Sequence, residues 1–324
     1  MRDAGHDTAG VILAAGRGAR MYPFSDRTPK TILPILNRPL LIHQIETMRD
    51  CGISDLHIVV GHLGYQVASV LGDGERFGVR ITFHEQESTL GLAHAVGALE
   101  PRLPGPFLLM LGDIYFHLKA PLQPLIEDVL EQRANASLVS MYEPDPEMVR
   151  RNFVIQADQD GLVHRVIEKP RYVKTQLKGC GLYVFDPHIF DAIRRTPRTA
   201  MRDEYELTDS VQILIDDGYR VRHWPIVERD LNLTRAEDLL AINLLELARR
   251  GLDRLVGDGV EMPAGCVIER SVIGDGVVIR HPIRITNAVI LPDVVVDSAV
   301  DLDSVVMNGE HMVYCPGVAV EPAR

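Results

Sequence analysis

The segment from Leu13 to Ile35, LAAGRGARMYPFSDRTPKTILPI, gathers Gly16, Gly18, Arg20 and Lys30 into one short stretch. Glycines placed directly after an apolar run let backbone N–H groups approach phosphate oxygens with no side chain in the way. Two fixed cations in the same loop suit a triphosphate. The stretch is not a dinucleotide fingerprint, since Tyr22 and Pro23 follow the second glycine, and it lacks the Gly-Lys-Ser/Thr ending of a P-loop. A second candidate is Asp113 in LGD, a carboxylate at the end of an apolar run, where an Asp serves either as a helix cap or as a metal ligand.

These residues need a scaffold that brings loop ends together. VILAA after Gly10 reads as a strand, followed by the glycine loop and an amphipathic run from Leu40 to Cys51. The alternation continues with strands at Leu56–Gly61 and Val79–His84, helices at Tyr65–Leu71 and Leu92–Leu99, and a strand at Phe107–Asp113. Short strands without in/out alternation, each followed by a helix, predict an α/β fold: a Rossmann-like, doubly wound sheet with ligands at the carboxyl ends of its strands. After Ala136 the strands become irregular (SLVSMY, NFVIQA, VHRVIEKP, CGLYVFDP), as an insertion would make them that widens the sheet into a mixed one and walls the cleft. A helix is expected between Tyr205 and Asp217, and another over Ala236–Arg249 closes the domain.

From Leu252 aliphatic residues recur every six positions at Val256, Met262 and Ile268, and after one five-residue step at Ile273, Ile279, Ile285 and Leu291. That period predicts a short left-handed parallel β-helix rather than a run of hairpins. The expected organisation is a flexible N-terminus over 1–9, a catalytic domain over 10–250 and a β-helix over 251–324. A solenoid needs neighbours to cover its ends, so a homo-oligomer joined through the β-helix or a sheet edge is expected.

With 34 Lys and Arg against 45 Asp and Glu, the net charge of −11 disfavours a polyanionic partner such as nucleic acid. The four scattered cysteines suggest neither a metal clip nor a disulfide framework and fit a reducing cytoplasm. The first residues carry no secretory apolar run, and no segment approaches the ~20 apolar residues of a membrane span.

Leu13 to Ile35 resembles the signature of the sugar-1-phosphate nucleotidylyltransferases, matching it at Leu13, Ala14, Ala15, Gly16, Gly18, Arg20, Met21, Pro23, Pro29, Lys30 and Pro34. Ala19 departs, standing where the family usually has a hydroxyl. The resemblance implies that Ala14, Ala15, Gly16 and Gly18 line the nucleotide and that Arg20 and Lys30 hold the triphosphate. Gln86 and Gly91 in QESTLGLAHA match the family's base-reading pair, and an amide that both donates and accepts suits a pyrimidine, so UTP or dTTP is expected. By the same resemblance Asp113 is a Mg²⁺ ligand. Its partner falls on Asn232, counted back from Glu237-Asp238-Leu239-Leu240, with Asp230 as a substitute.

On the sugar side, the resemblance assigns Glu168 to hydroxyls and Lys169 to the sugar phosphate, with Gly181 and Glu206 beside them. Phe153 stands where the family commonly has a glycine, and Gly179 where it has Asn or Thr. Those departures leave a cyclitol 1-phosphate or a modified hexose open as the acceptor. The implied reaction joins a nucleoside triphosphate to a 1-phosphate with release of pyrophosphate, Arg20, Lys30 and Lys169 being its catalytic cations. A non-catalytic nucleotide-sugar-binding or scaffold homologue and a hexapeptide acyltransferase are the alternatives.

Overall fold

The run following Gly10 is apolar on both faces because it becomes the middle strand of a sheet. In the computed structural model, which describes residues 8–200 and 202–318, β1 (Ala9–Ala14) lies between two parallel neighbours, β2 (Asp55–Val60) and β4 (Phe107–Leu111). A fourth parallel strand, β3 (Arg80–Glu85), pairs with β2. Val11 and Ile12 are fully buried, as are Leu108 and Leu109, so consecutive residues are covered on opposite faces. The expected flexible N-terminus falls mostly outside the described residues; Thr8 is buried and Ala9 opens β1.

The chain forms two compact units, one of residues 1–16 and 44–230, the other of residues 17–43 and 231–324. In the first unit five further strands widen the sheet: β5 (Ala136–Tyr142), β6 (Phe153–Ala157), β7 (Val163–Glu168), β8 (Leu177–Phe185) and β9 (Val221–Trp224). The nine-stranded order is β7-β6-β8-β4-β1-β2-β3, with β5 pairing β8 and β9. β8 runs antiparallel to β4, with Leu182 opposite Met110, which makes the sheet mixed. β8 also begins three residues before CGLYVFDP and is buried along its whole length. Helices Leu92–Gly97, Ile189–Arg195 and Leu207–Asp216 contribute to a core in which Phe107 packs on Phe185 and Phe190 at 5.8 and 5.7 Å.

In the second unit the Ala236–Arg249 helix ends where the sequence placed it. The C-terminal strands pair in parallel at a constant offset. Val256 stands beside Ile273, Ile273 beside Ile290, Ile290 beside Met307; Ile279 is beside Val296; Ile268 is beside Ile285 and Ile285 beside Leu302. Hydrogen bonds such as Thr286 to Asp303 link residues 17 apart. The pattern is therefore six, six, five, repeated every turn, which makes the single five-residue step of the sequence reading a recurring one and moves its last member from Leu291 to Ile290. Arg270, Asn287 and Ser304, 17 residues apart, take left-handed φ of 41°, 48° and 54° within the five-residue steps, and Gly259, Gly276 and Asp293 take 67°, 66° and 61° within one of the six-residue steps. Hairpins would have paired antiparallel, and only the last strand, Met312–Tyr314, does so here among the described C-terminal strands.

Ile285 is fully buried between Ile268 and Leu302. Ile285→Ala is expected to cost about 2–5 kcal/mol, read as a lowered melting transition in calorimetry; an unchanged transition would mean the coil is not a packed unit.

Candidate active site

Because β1 to β4 are parallel, the residues just beyond their carboxyl ends share one edge of the first unit: Ala15 and Gly16, Gly61, Gln86, and Gly112 with Asp113. They are packed backbone to backbone. A Cβ on Gly61 would stand 2.6 Å from the Ala15 carbonyl oxygen, and one on Gly112 2.8 Å from that of Leu13. The Gly112 N–H donates to Leu13 O at 2.9 Å and the Gln86 N–H to Val60 O at 2.8 Å. Ala14 and Ala15 are buried while Gly16 is exposed, so the β1 turn surfaces at its glycine.

Asp113 owes its position to a residue the sequence reading passed over. Gln44, 3% exposed on the Leu40–Asp50 helix, donates from Nε2 to Leu111 O at 2.8 Å and to Ile114 O at 2.7 Å, bracing both sides of the Gly112–Asp113 turn. In an amphipathic helix that also carries His43, Glu46 and Thr47, nothing local marked Gln44 out. Gly91, at φ 111°, lies so close to Tyr205 that a Cβ would come within 2.4 Å of its carbonyl oxygen. Tyr205 N–H donates to Leu90 O at 2.8 Å and Ala93 N–H to Tyr205 O at 3.0 Å, which ties the loop carrying Gln86 and Gly91 to the residue before Glu206. The half-buried Gln86 amide lies 3.5 Å from His94 Nδ1.

Glu168 ends β7 and accepts from Thr208 Oγ1 at 2.8 Å; Arg202 stands 3.4 Å from its Oε1 and Lys169 Nζ 3.5 Å. Arg202 also lies 3.2 Å from Oε1 of the buried Glu206, an oxygen that accepts no hydrogen bond. Burial first, and Glu168 second, push the Glu206 carboxyl above its ordinary value, with Arg202 pulling it down; Asp209 is raised for the same reasons. The result is a set of carboxylate acceptors facing little competing solvent. Arg202 carries no motif that would have singled it out, whereas Thr208 lies in EYELTD, the same element as Glu206. Lys169 adopts φ 42° while its N–H donates to Asn152 O at 2.9 Å, and it leaves its ammonium half-exposed beside this cluster. Gly181, at φ 62°, lets β8 run against Leu111 and Ile114, whose side chains would meet a Cβ at 2.8 Å. Phe153 is 6% exposed and stacks on Tyr183 at 6.0 Å.

Asp230 is engaged elsewhere in the first unit. Its Oδ1 pairs with Lys178 Nζ at 2.7 Å, both side chains being almost fully buried, and its Oδ2 accepts no hydrogen bond. Burial pushes its carboxyl up against the pull of Lys178. Asn232 is the last residue of the Val227–Asn232 strand and belongs to the second unit. Among the described residues no three His, Cys, Asp or Glu side chains gather as a metal cluster. Asp113 is thus a single carboxylate on a braced turn, which fits a hard cation that takes its other oxygens from substrate phosphates and water.

The second unit holds the cationic half of the loop. Gly18 has φ 67°, and the Lys30 stem passes over it, Cδ and Cγ standing 3.2 and 3.4 Å from where a Cβ would be. Buried Met21 and Phe24 anchor the turn, and Met21 N–H closes on Gly18 O at 2.8 Å, leaving Arg20 exposed. The segment is fixed further on by buried Asn243, which accepts from Leu36 N–H at 2.8 Å and donates to Pro34 O at 3.1 Å. Asn37 donates to Ile273 O at 2.7 Å, so the loop is fastened to the stacked coils.

A parallel-centred α/β sheet with close-packed glycine turns at its carboxyl edge is the architecture of a nucleotide-binding enzyme. The chain belongs to the nucleotidyl transferase family, whose model matches residues 9–226. It is 31% identical over 92% of its length to a glucose-1-phosphate thymidylyltransferase of Streptomyces griseus, covering 87% of that protein. It is 32% identical over 76% of its length to the low-salt glycan biosynthesis nucleotidyltransferase Agl11 of Haloferax volcanii, covering 68% of it. A crystal structure from Bacillus anthracis, assigned as a glucose-1-phosphate thymidylyltransferase in complex with a sucrose, superposes with a TM-score of 0.65 at 28% identity, over 74% of this chain and 94% of that one. No helix among the described residues is long and apolar enough to cross a membrane.

Two outcomes test this electrostatic arrangement. With its folded-state pKa raised above 4.5, Glu206 contributes stability that is fully present below the unfolded value and is lost as pH rises through the folded one. Glu206→Gln should therefore melt roughly 2–4 °C above the wild type near neutral pH, the gap closing toward about pH 4; a gap that is flat with pH would refute the assignment. Lys178→Met should cost about 3–5 kcal/mol by stranding Asp230, and Lys178→Met with Asp230→Leu should recover most of it in chemical denaturation.

Proposed function

We propose that this chain transfers the nucleotidyl group of a nucleoside triphosphate, UTP or dTTP, to a sugar 1-phosphate or sugar-like cyclitol 1-phosphate, giving the nucleoside diphosphate sugar and pyrophosphate. The observation that carries the reading is Lys169: a lysine held in the left-handed region, where a side chain is disfavoured by about 1–2 kcal/mol, beside a carboxylate cluster suited to hydroxyl groups. Family membership supports it.

In this reading the acceptor's anionic phosphate oxygen attacks the α-phosphorus in line with the departing pyrophosphate. The attacking oxygen needs no base, so the protein's work is to position two anions and offset the charge they bring together. Lys169 takes the acceptor phosphate and Glu168 and Glu206 its hydroxyls. Arg20 and Lys30 take the triphosphate, the glycine turns at Ala14, Ala15, Gly16 and Gly18 let it approach the backbone, and Gln86 with Gly91 reads the base. Asp113 would hold a Mg²⁺ ion, with Asn232 the candidate second ligand; the ion supplies charge neutralisation on the phosphates. A homo-oligomer would form through the stacked coils, where exposed Met262, Val300, Met312 and Tyr314 support the reading, or through a sheet edge.

Pyrophosphate release from a panel of triphosphates crossed with 1-phosphates, with Mg²⁺ and with EDTA, tests the reading: turnover is expected for UTP or dTTP and lost with the chelator, and silence across the panel would sink it. Lys169→Ala should raise KM for the 1-phosphate roughly tenfold or more while moving KM for the triphosphate little. Equal losses for both would remove Lys169 from the acceptor phosphate.

A further inference from the structure

Phe153 and Gly179 stand on neighbouring strands of the first unit. Phe153 is directly opposite Glu168 across the β6–β7 pair, and Val154 directly opposite Lys178 across β6–β8. Side chains of opposed residues project to one face, so Glu168, Phe153 and the position of Gly179 share a face on three adjacent strands. A Cβ on Gly179 would fall 1.8 Å from Phe153 Cζ and 2.2 and 2.3 Å from its Cε atoms. The φ of Gly179 is not among the positive ones, so its backbone does not require glycine; the ring above it does.

The ring is also fixed from its other side. Phe153 stacks on Tyr183 at 6.0 Å with 15° between planes, and Tyr183 stacks on Phe185 at 5.5 Å and 14°. Next to the carboxylate of Glu168, with its Thr208 and Arg202 partners, the Phe153 ring is 6% exposed at the border of the first unit's hydrophobic core, and positions 153 and 179 offer no side-chain donor or acceptor there. A substrate hydroxyl pressed on that ring would lose water and gain no partner from either side chain. A ring C–H edge suits it.

We propose that Phe153 and Gly179 are a matched specificity pair, and that the acceptor 1-phosphate turns toward Phe153 a ring carbon bearing no hydroxyl, as in a deoxy-sugar or a deoxygenated cyclitol. This rests on the transfer reading above.

The test measures kcat/KM by pyrophosphate release for glucose 1-phosphate, its 3-, 4- and 6-deoxy analogues, inositol 1-phosphate and a deoxyinositol 1-phosphate, the last two separating a cyclitol source from a sugar one. Wild type should favour one deoxygenated acceptor over its hydroxylated parent by about tenfold or more. Phe153→Gly with Gly179→Asn, which moves the bulk and the polarity from one strand to the other, should reverse that preference. Gly179→Asn alone should lower the melting temperature or the soluble yield, and adding Phe153→Gly should restore it. Phe153→Ala, made with no change at Gly179, should narrow the discrimination while lowering the melting temperature, since it empties a buried site. Turnover with one unchanged ranking in wild type, the double variant and Phe153→Ala overturns this inference alone; no turnover with any 1-phosphate overturns the transfer reading and this with it.

Discussion

The β1 turn is squeezed between two others. The chain leaving β1 must pass Gly61 and Gly112, whose α-carbons sit so close to the Ala15 and Leu13 carbonyls that a methyl group on either would collide with backbone. Three parallel strands at hydrogen-bonding distance force their carboxyl ends together, and glycines are what allow the turns to fit. Everything proposed for the nucleotide depends on this crowding. It places backbone groups along one edge and, through Gln44, orients the Asp113 turn among them.

The acceptor side works under the opposite constraint, since it collects charge rather than bare backbone. Burial first, and the nearby Glu168 second, raise the carboxyl pKa of Glu206 and Asp209, and Arg202 offsets only part of this. Such an arrangement lowers stability in the empty protein and makes strong hydrogen-bond acceptors for a polyhydroxylated ring. The Lys178–Asp230 pair contrasts with it. There the two charges neutralise each other deep in the first unit, and Asp230 is a structural partner before it is anything else.

In the second unit, repetition does the positioning. Each coil repeats after 17 residues, with left-handed residues recurring at the same corners. The resulting columns of Ile, Val and Leu are buried under the Ala236–Arg249 helix and its neighbours. Asn37 and Asn243 attach the Arg20–Lys30 loop to this stack. The C-terminal coils thus serve as the mounting for a cationic loop encoded more than two hundred residues earlier, as the 236-residue separation of Asn37 from Ile273 shows.

Most of the architecture was legible because it is written in local terms. Uninterrupted apolar runs announced buried parallel strands, and a near-six-residue period announced stacked coils. Long-range pairing was not legible. The antiparallel insertion of β8, the bracing of Asp113 by Gln44, the docking of Gly91 on Tyr205 and the burial of Asp230 by Lys178 each join residues far apart in sequence, with no periodicity to report them. The recurring five-residue step also carries left-handed φ at Arg270 and Ser304, residue types that seldom signal it. By itself the sequence determined which residues could do phosphate chemistry and what kind of sheet and coil would carry them, because composition and period act over short stretches. Only the tertiary structure decided that the Phe153 ring lies over Gly179, because whether a glycine is a hinge or a place for another side chain depends on what the neighbouring strand puts above it.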